Sequence, residues 1–176
     1  MKLFIASDIH GSALYCQKML DAYRNENADR LILLGDVLYH GPRNYLPDGY
    51  NPKQVIDLLN PLADEILCVR GNCDTEVDQM VLDFPIMSDN ALIFADETVL
   101  LAAHGHRETP KIPKDGILLN GHTHVPAFET KDGFIRINPG SVSIPKDDSQ
   151  HSYIIFENRT FKWKNLDGET YREEKI

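Results

Sequence analysis

Seven side chains able to hold a metal ion stand just beyond short apolar runs. Asp8 and His10 follow "KLFIAS" (2–7), Asp36 ends "DRLILLGD" (29–36), and Asn72 ends "EILCVRGN" (65–72). His104 follows "VLLAA", while His122 and His124 follow "GILLN". Imidazole, carboxylate and amide oxygen without a thiolate suit divalent manganese, iron, nickel or zinc. Two such ions about 3.5–4 Å apart form a clamp for displacement at phosphorus. Any one of these residues alone reads as a turn or cap residue. Five strand ends, each carrying a polar group near a glycine, read as a site.

The elements that must position these groups follow from the apolar pattern. The runs 2–7, 29–36 and 65–72 read as buried strands. Between them, Ser12 caps a helix with Leu14, Met19, Leu20 and Tyr23 on one face. Asn51-Pro52 starts a second helix carrying Val55, Ile56, Leu58 and Leu59. Alternation of strand and helix implies parallel strands with right-handed crossovers. In such sheets ligands bind beyond the carboxyl ends of the strands. Asp8 and His10 would point to opposite faces of a regular strand, so they can converge only where the strand breaks; Gly11 supplies that break.

The second half is β-rich. Residues 91–106 predict a hairpin turning at Asp96-Glu97, 116–124 a strand, 127–138 a hairpin around Lys131-Asp132-Gly133, and 152–166 a hairpin turning near Glu157-Asn158. The polar tail from Asp167 is expected to fray. The segment "RETPKIPKDG" (107–116) is short and predicts an open cleft. The whole chain, 1–176, reads as one α/β domain of two sheets packed face to face.

Composition sets limits. The 176-residue chain carries a net charge of −9 and no Lys/Arg-rich run, which argues against binding a nucleic-acid duplex. The apolar stretch at the start is too short for a membrane span or signal peptide. An odd count of three cysteines suggests no disulfide framework and a reducing cytoplasm. Cys73 sits in "RGNCD", but a cysteine-dependent phosphatase needs Arg six positions on, and Gln79 stands there.

The blocks "SDIHG" (7–11), "LGD" (34–36), "RGNCD" (70–74), "AHGH" (103–106) and "NGHTH" (120–124) resemble, in order, the calcineurin-like metallophosphoesterases. "HGPRN" (40–44) and "NPGSVSIPK" (138–146) are similar to the small YfcE-like phosphodiesterase branch. The resemblance implies a four-layer α/β/β/α sandwich and two divalent metals, manganese first, with nickel, iron or zinc also fitting. It implies that Asp8, His10, Asp36 and His124 hold one ion. Asp36, Asn72, His104 and His122 hold the other, and a hydroxide bridging the pair attacks a phosphate diester. Many relatives carry His where this chain has Cys73, which is then expected to be a small packed residue.

Without that His, His106 is the candidate to protonate the leaving group, and esters with acidic leaving groups should react faster. Asp74 is expected to orient His104 or His10 through the second imidazole nitrogen, or to cap the helix after it. Arg43 could clamp a phosphate oxygen. Asn138 and Ser141 are expected to support the His122 loop. The partner implied is a small phosphate ester, with no membrane. The aromatic "RTFKW" hairpin suggests pairing into a homo-oligomer. The competing readings are a monoesterase, nucleotidase or pyrophosphatase, a single-metal nuclease, and a non-catalytic protein-binding scaffold of the same fold.

Overall fold

The computed structural model describes residues 1–108, 111, 112, 116–131 and 133–176. The apolar runs form strands β1 (Leu3–Ala6), β2 (Arg30–Leu33) and β3 (Ile66–Cys68), paired in parallel. The strands are shorter than the runs because the chain turns as soon as it reaches the polar residues. Helix α1 (Ala13–Glu26) opens where the Ser12 side chain accepts from the Tyr15 amide, and α2 (Pro52–Leu59) where Asn51 accepts from the Gln54 amide. Met19, Leu20 and Tyr23 of α1 and Val55 and Leu59 of α2 pack on Phe4, Ala6, Leu31 and Leu33. Leu14 departs from expectation. It is 45% exposed, on the side of α1 turned to the Gly49 backbone.

The second sheet holds β4 (Asn90–Ala95), β5 (Thr98–Ala103), β6 (Ile117–Leu119), β7 (Ala127–Lys131) and β8 (Phe134–Asn138), in the order β4-β5-β6-β8-β7. Asp96 and Glu97 both have φ near +50° to +60°, as a two-residue hairpin turn demands. The central residue of the β7–β8 turn, Asp132, lies outside the described residues, as does much of 107–116 and with it the expected open cleft.

The C-terminal strands return to the first sheet. β9 (Ser152–Glu157) runs antiparallel to β1, followed by β10 (Thr160–Asn165) and β11 (Thr170–Lys175), giving β11-β10-β9-β1-β2-β3. Two expectations are corrected here. The tail does not fray: β11 pairs along β10, and Arg172 lies over the rings of Trp163 (5.1 Å) and Phe128 (5.6 Å). The β9–β10 hairpin does not display its aromatics: Phe161 and Trp163 are fully buried, and Trp163 donates to the Asn138 carbonyl at 2.8 Å. The ground for expecting oligomerisation through that hairpin is therefore gone.

The core between the sheets joins Leu3, Ile5 and Ile32 to Leu100, Ile117 and Leu119, closed at one end by Phe156, Phe161 and Trp163. Period-two alternation sends Phe4 and Ala6 to the helices and Leu3 and Ile5 to the facing sheet. The outcome is the α/β sandwich the resemblance implied, two sheets with helices outside. Among the described residues, the helices come from the first half of the chain, and Ile112 packs on the outer face of the second sheet. No described helix is long and apolar enough to cross a membrane.

Candidate metal centre

Five of the seven expected ligands have left-handed backbones: Asp8 (φ 59°), His10 (49°), Asp36 (56°), His122 (68°) and His124 (63°). The region is uncommon for residues with a Cβ, and each instance costs on the order of 1–3 kcal/mol. It solves the problem posed by Asp8-Ile9-His10 and His122-Thr123-His124. Alternate residues of a strand diverge, but a left-handed turn at each ligand swings both side chains inward. Gly11 is left-handed too, yet the ligands themselves make most of the bend. Glycine is needed where loops meet. A Cβ on Gly71 would collide with the Asp36 carboxylate, and one on Gly121 with Ser7 Oγ and Asp8.

The donors converge. His10 Nε2 lies 3.5 Å from Asp8 Oδ1, 3.7 Å from Asp36 Oδ2 and 3.2 Å from His124 Nε2. His124 Nε2 is 3.2 Å from Asp8 Oδ1. His104 Nε2 is 3.4 Å from Asp36 Oδ2 and 3.1 Å from Asn72 Oδ1. Asp8, His10, Asp36, His104 and His124 are all buried. His122 is half-buried, its ring centroid 5.1 Å from that of His104, and Asn72 is exposed.

The imidazoles are aimed by backbone carbonyls. Nδ1 of His10 donates to Tyr39 (2.8 Å), that of His104 to Leu34 (2.6 Å), and that of His124 to Ile144 (2.6 Å). Each ring thereby presents Nε2 inward, the tautomer a metal requires. Asp8 Oδ1 is buried with no hydrogen-bond partner. A buried carboxylate oxygen without a partner, facing Nε2 atoms 3.2 and 3.5 Å away, suits a cation, and the donor set fits a divalent one.

The charges of the cage side chains bear this out. Burial pushes the Asp8 carboxyl up, but His10 and His124 outweigh it and hold it well below the usual range. Burial likewise raises Asp36, and His104 outweighs it. Burial pulls His104 down, but Asp36 and Asp8 lift it to about 9. His10 is raised by Asp8 against its burial. The two carboxylates thus favour positive charge on the imidazoles around them, where a cation would sit.

Asp74 is corrected. It touches neither His10 nor His104, and it does not cap α3 (Glu76–Gln79), whose capping box is Thr75 with Asp78. Its Oδ2 accepts from the amides of Asp36 (2.8 Å) and Gly71 (2.7 Å), and its Oδ1 from that of Val37 (2.9 Å). It therefore ties the Asp36 loop to the Asn72 loop. Asn138 supports the His122 loop as expected, donating to the Gly121 carbonyl (2.8 Å) and Thr123 Oγ1 (3.0 Å). Ser141 holds Asp8 instead, donating with Ser143 to its carbonyl.

Arg43 is exposed on a cavity of about 350 Å³ that also touches Asp36, Asn72, His122 and His124. Lys146 lines the same cavity and escaped the sequence reading, although it ends the "NPGSVSIPK" block. His106 lines a neighbouring cavity with His104, its ring 5.4 Å from that of His104. Its Nε2 accepts from Arg107 Nε at 3.1 Å, and Arg107 in turn binds Asp89. Burial, His104 and Arg107 lower its pKa, so at neutral pH it is a neutral ring with its proton on Nδ1. Cys73 is buried, its amide donating to Asp36 Oδ1 at 2.8 Å, and burial followed by Asp36 raises its thiol pKa.

A model of the calcineurin-like phosphoesterase superfamily domain matches residues 1–160. The phosphodiesterase YfcE of Escherichia coli is 44% identical over 162 residues, which cover 90% of this chain and 88% of that protein. A solved structure of the E. coli phosphoesterase Yfce superposes with a TM-score of 0.95 at 41% identity, covering all of both chains. The zinc complex of Vps29 from Entamoeba histolytica, 21% identical with a TM-score of 0.65 over 100% of this chain and 98% of that one, shares the fold.

Proposed function

This chain belongs to the calcineurin-like phosphoesterase superfamily, and on that premise we propose that it hydrolyses phosphate diesters with two divalent metal ions, manganese first among them. The observation that carries the reading is the buried, partnerless Asp8 Oδ1 among inward-facing Nε2 atoms. Asp8, His10 and His124 would hold one ion, Asn72, His104 and His122 the other, with Asp36 shared. When bound, such ions lower the pKa of water from 15.7 to about 7 and offset charge on phosphoryl oxygens.

The chain's own groups do the rest. Asp74 fixes the Asp36 and Asn72 loops to each other, so the two halves of the cage keep their spacing. Arg43 and Lys146 put positive charge on the mouth of an acidic protein and draw a phosphate anion to the cage. His106 Nδ1 is buried without a partner and Arg107 occupies the other nitrogen, so the ring must turn before Nδ1–H can serve as a donor. A neutral imidazole is a weak acid, which favours leaving groups that need little help.

The test is hydrolysis of bis-(4-nitrophenyl) phosphate by chelator-treated protein before and after manganese is added, beside 4-nitrophenyl phosphate. Restoration by manganese and a preference for the diester support the reading. A preference for the monoester makes the protein a monoesterase, and no hydrolysis of either makes it a scaffold of the same fold.

A further inference from the structure

A second cavity, about 340 Å³, opens beside the metal cage and is unlike the first. Its lining includes Leu38, Tyr39, Ile56, Cys73, Val77 and Val81. Cys73 joins it to the cage: Sγ lies within 4.8 Å of donor atoms of His10 and Asp36, and accepts from Asn72 Nδ2 at 3.1 Å. Tyr39 follows Asp36 by three residues, and its carbonyl is the one held by His10. Val77 is 67% exposed and Val81 41%, so the rim offers apolar surface to solvent. The carboxylate within the cleft, Asp78, already accepts from the Thr75 amide and hydroxyl.

Among the cavities that border the cage, two are unlike: a polar one bearing Arg43 and Lys146, and an apolar one whose lining includes the Cys73 thiol. A small polar phosphate ester would fill only the first. We propose that the apolar cleft is the subsite for one ester arm, so that the substrate class is a diester joining the phosphate to an alkyl or aryl alcohol. The proposal rests on the phosphodiesterase reading, and it assigns selectivity to Val77 and Val81. Each methylene entering the cleft should tighten binding up to about fourfold, the value for full burial.

The probes are monoalkyl methylphosphonates, which carry the single negative charge of a diester and resist hydrolysis. Against bis-(4-nitrophenyl) phosphate, the Ki of the manganese-loaded enzyme should fall at least about tenfold from the methyl to the hexyl compound. Val77→Asp and Val81→Asp should each compress that ratio to about twofold, while Val77→Ile keeps it. In methyl-labelled wild-type protein, the hexyl compound should shift the Val77 and Val81 methyl resonances. A flat Ki series, a steep one untouched by both Asp variants, or unmoved methyl resonances would each overturn the subsite. Methyl shifts in a protein that hydrolyses no ester would uphold the cleft while sinking the enzymatic reading. A cleft that serves protein docking instead predicts no dependence on alkyl length.

Discussion

His10 and His124, 114 residues apart, bring their Nε2 atoms to 3.2 Å of each other while a backbone carbonyl engages the opposite nitrogen of each ring. Two neutral rings so held point lone pairs at one another, and only a proton or a metal between them relieves this. Divalent manganese should therefore stabilise the chelator-treated protein. At a hundredfold excess over its Kd, one ion contributes about 2.7 kcal/mol, or roughly 5–10 °C in Tm for a chain of this size. Asp8→Asn should fold but lose most of that shift in a thermal melt. An equal shift in the variant would mean that the ion binds elsewhere.

The protons in the metal-free cage set a pH dependence. Folding lifts His104 from its ordinary value of 6.5 to about 9. A raised imidazole stabilises fully below the unfolded pKa, and the contribution is lost as pH rises through 9. The metal-free protein should thus lose on the order of 3 kcal/mol between pH 6.5 and 9.5, read by urea denaturation. Metal and proton compete for the same Nε2, so manganese affinity should rise over the same window, and calorimetry in buffers of different ionisation enthalpy should register proton release.

Asp74 yields a prediction opposite to the one its position suggests. It accepts from three backbone amides, and Asp74→Asn would set an amide N–H against one of them. We expect a loss of about 2–4 kcal/mol in urea denaturation, with weaker manganese binding. Breaking the capping box of α3 by Asp78→Ala should cost only about 1 kcal/mol and leave metal affinity alone.

Contrasts of this kind show what a sequence displays. The seven candidate ligands stand out in the sequence because each ends an apolar run. The role of Asp74 does not, since its targets are backbone N–H groups, which any residue supplies. Left-handed φ at Asp8, His10, Asp36, His122 and His124 was hidden, because no glycine marks it. β11, "TYREEK", has no apolar run; it is a strand because β10 offers an edge and Trp163 a surface for Arg172. Phe161 and Trp163 alternate with polar residues, as a half-buried strand does, but the pattern does not say which face is covered.

Cys73 should prove dispensable for turnover. Burial raises its thiol pKa, as it does that of Cys68 and that of Cys16, which reaches about 12. A thiolate is therefore absent at neutral pH, and all three should react with a disulfide reagent far more slowly in native than in urea-unfolded protein. Cys73→Ser should retain kcat within about threefold, as a residue of packing rather than of bond-making. A loss of about a hundredfold would restore it to the chemistry.

His106 gives the sharpest test of how the leaving group departs. Arg107 holds its Nε2 and Nδ1 is buried without a partner, so its contribution to the leaving oxygen is at most one hydrogen bond from Nδ1 once the ring turns, worth about tenfold in rate, against the 10²–10⁴ of a full acid catalyst. Wild-type kcat/KM should accordingly fall as leaving-group pKa rises along a series of substituted phenyl esters. His106→Ala should steepen that fall, costing about tenfold for the least acidic phenol and less than about threefold for 4-nitrophenol. Arg107→Ala frees the ring to exchange tautomers and should give an intermediate slope. If His106→Ala lowered every ester by the same factor, the imidazole would be acting on the phosphoryl group or the fold, and proton delivery would fall to solvent.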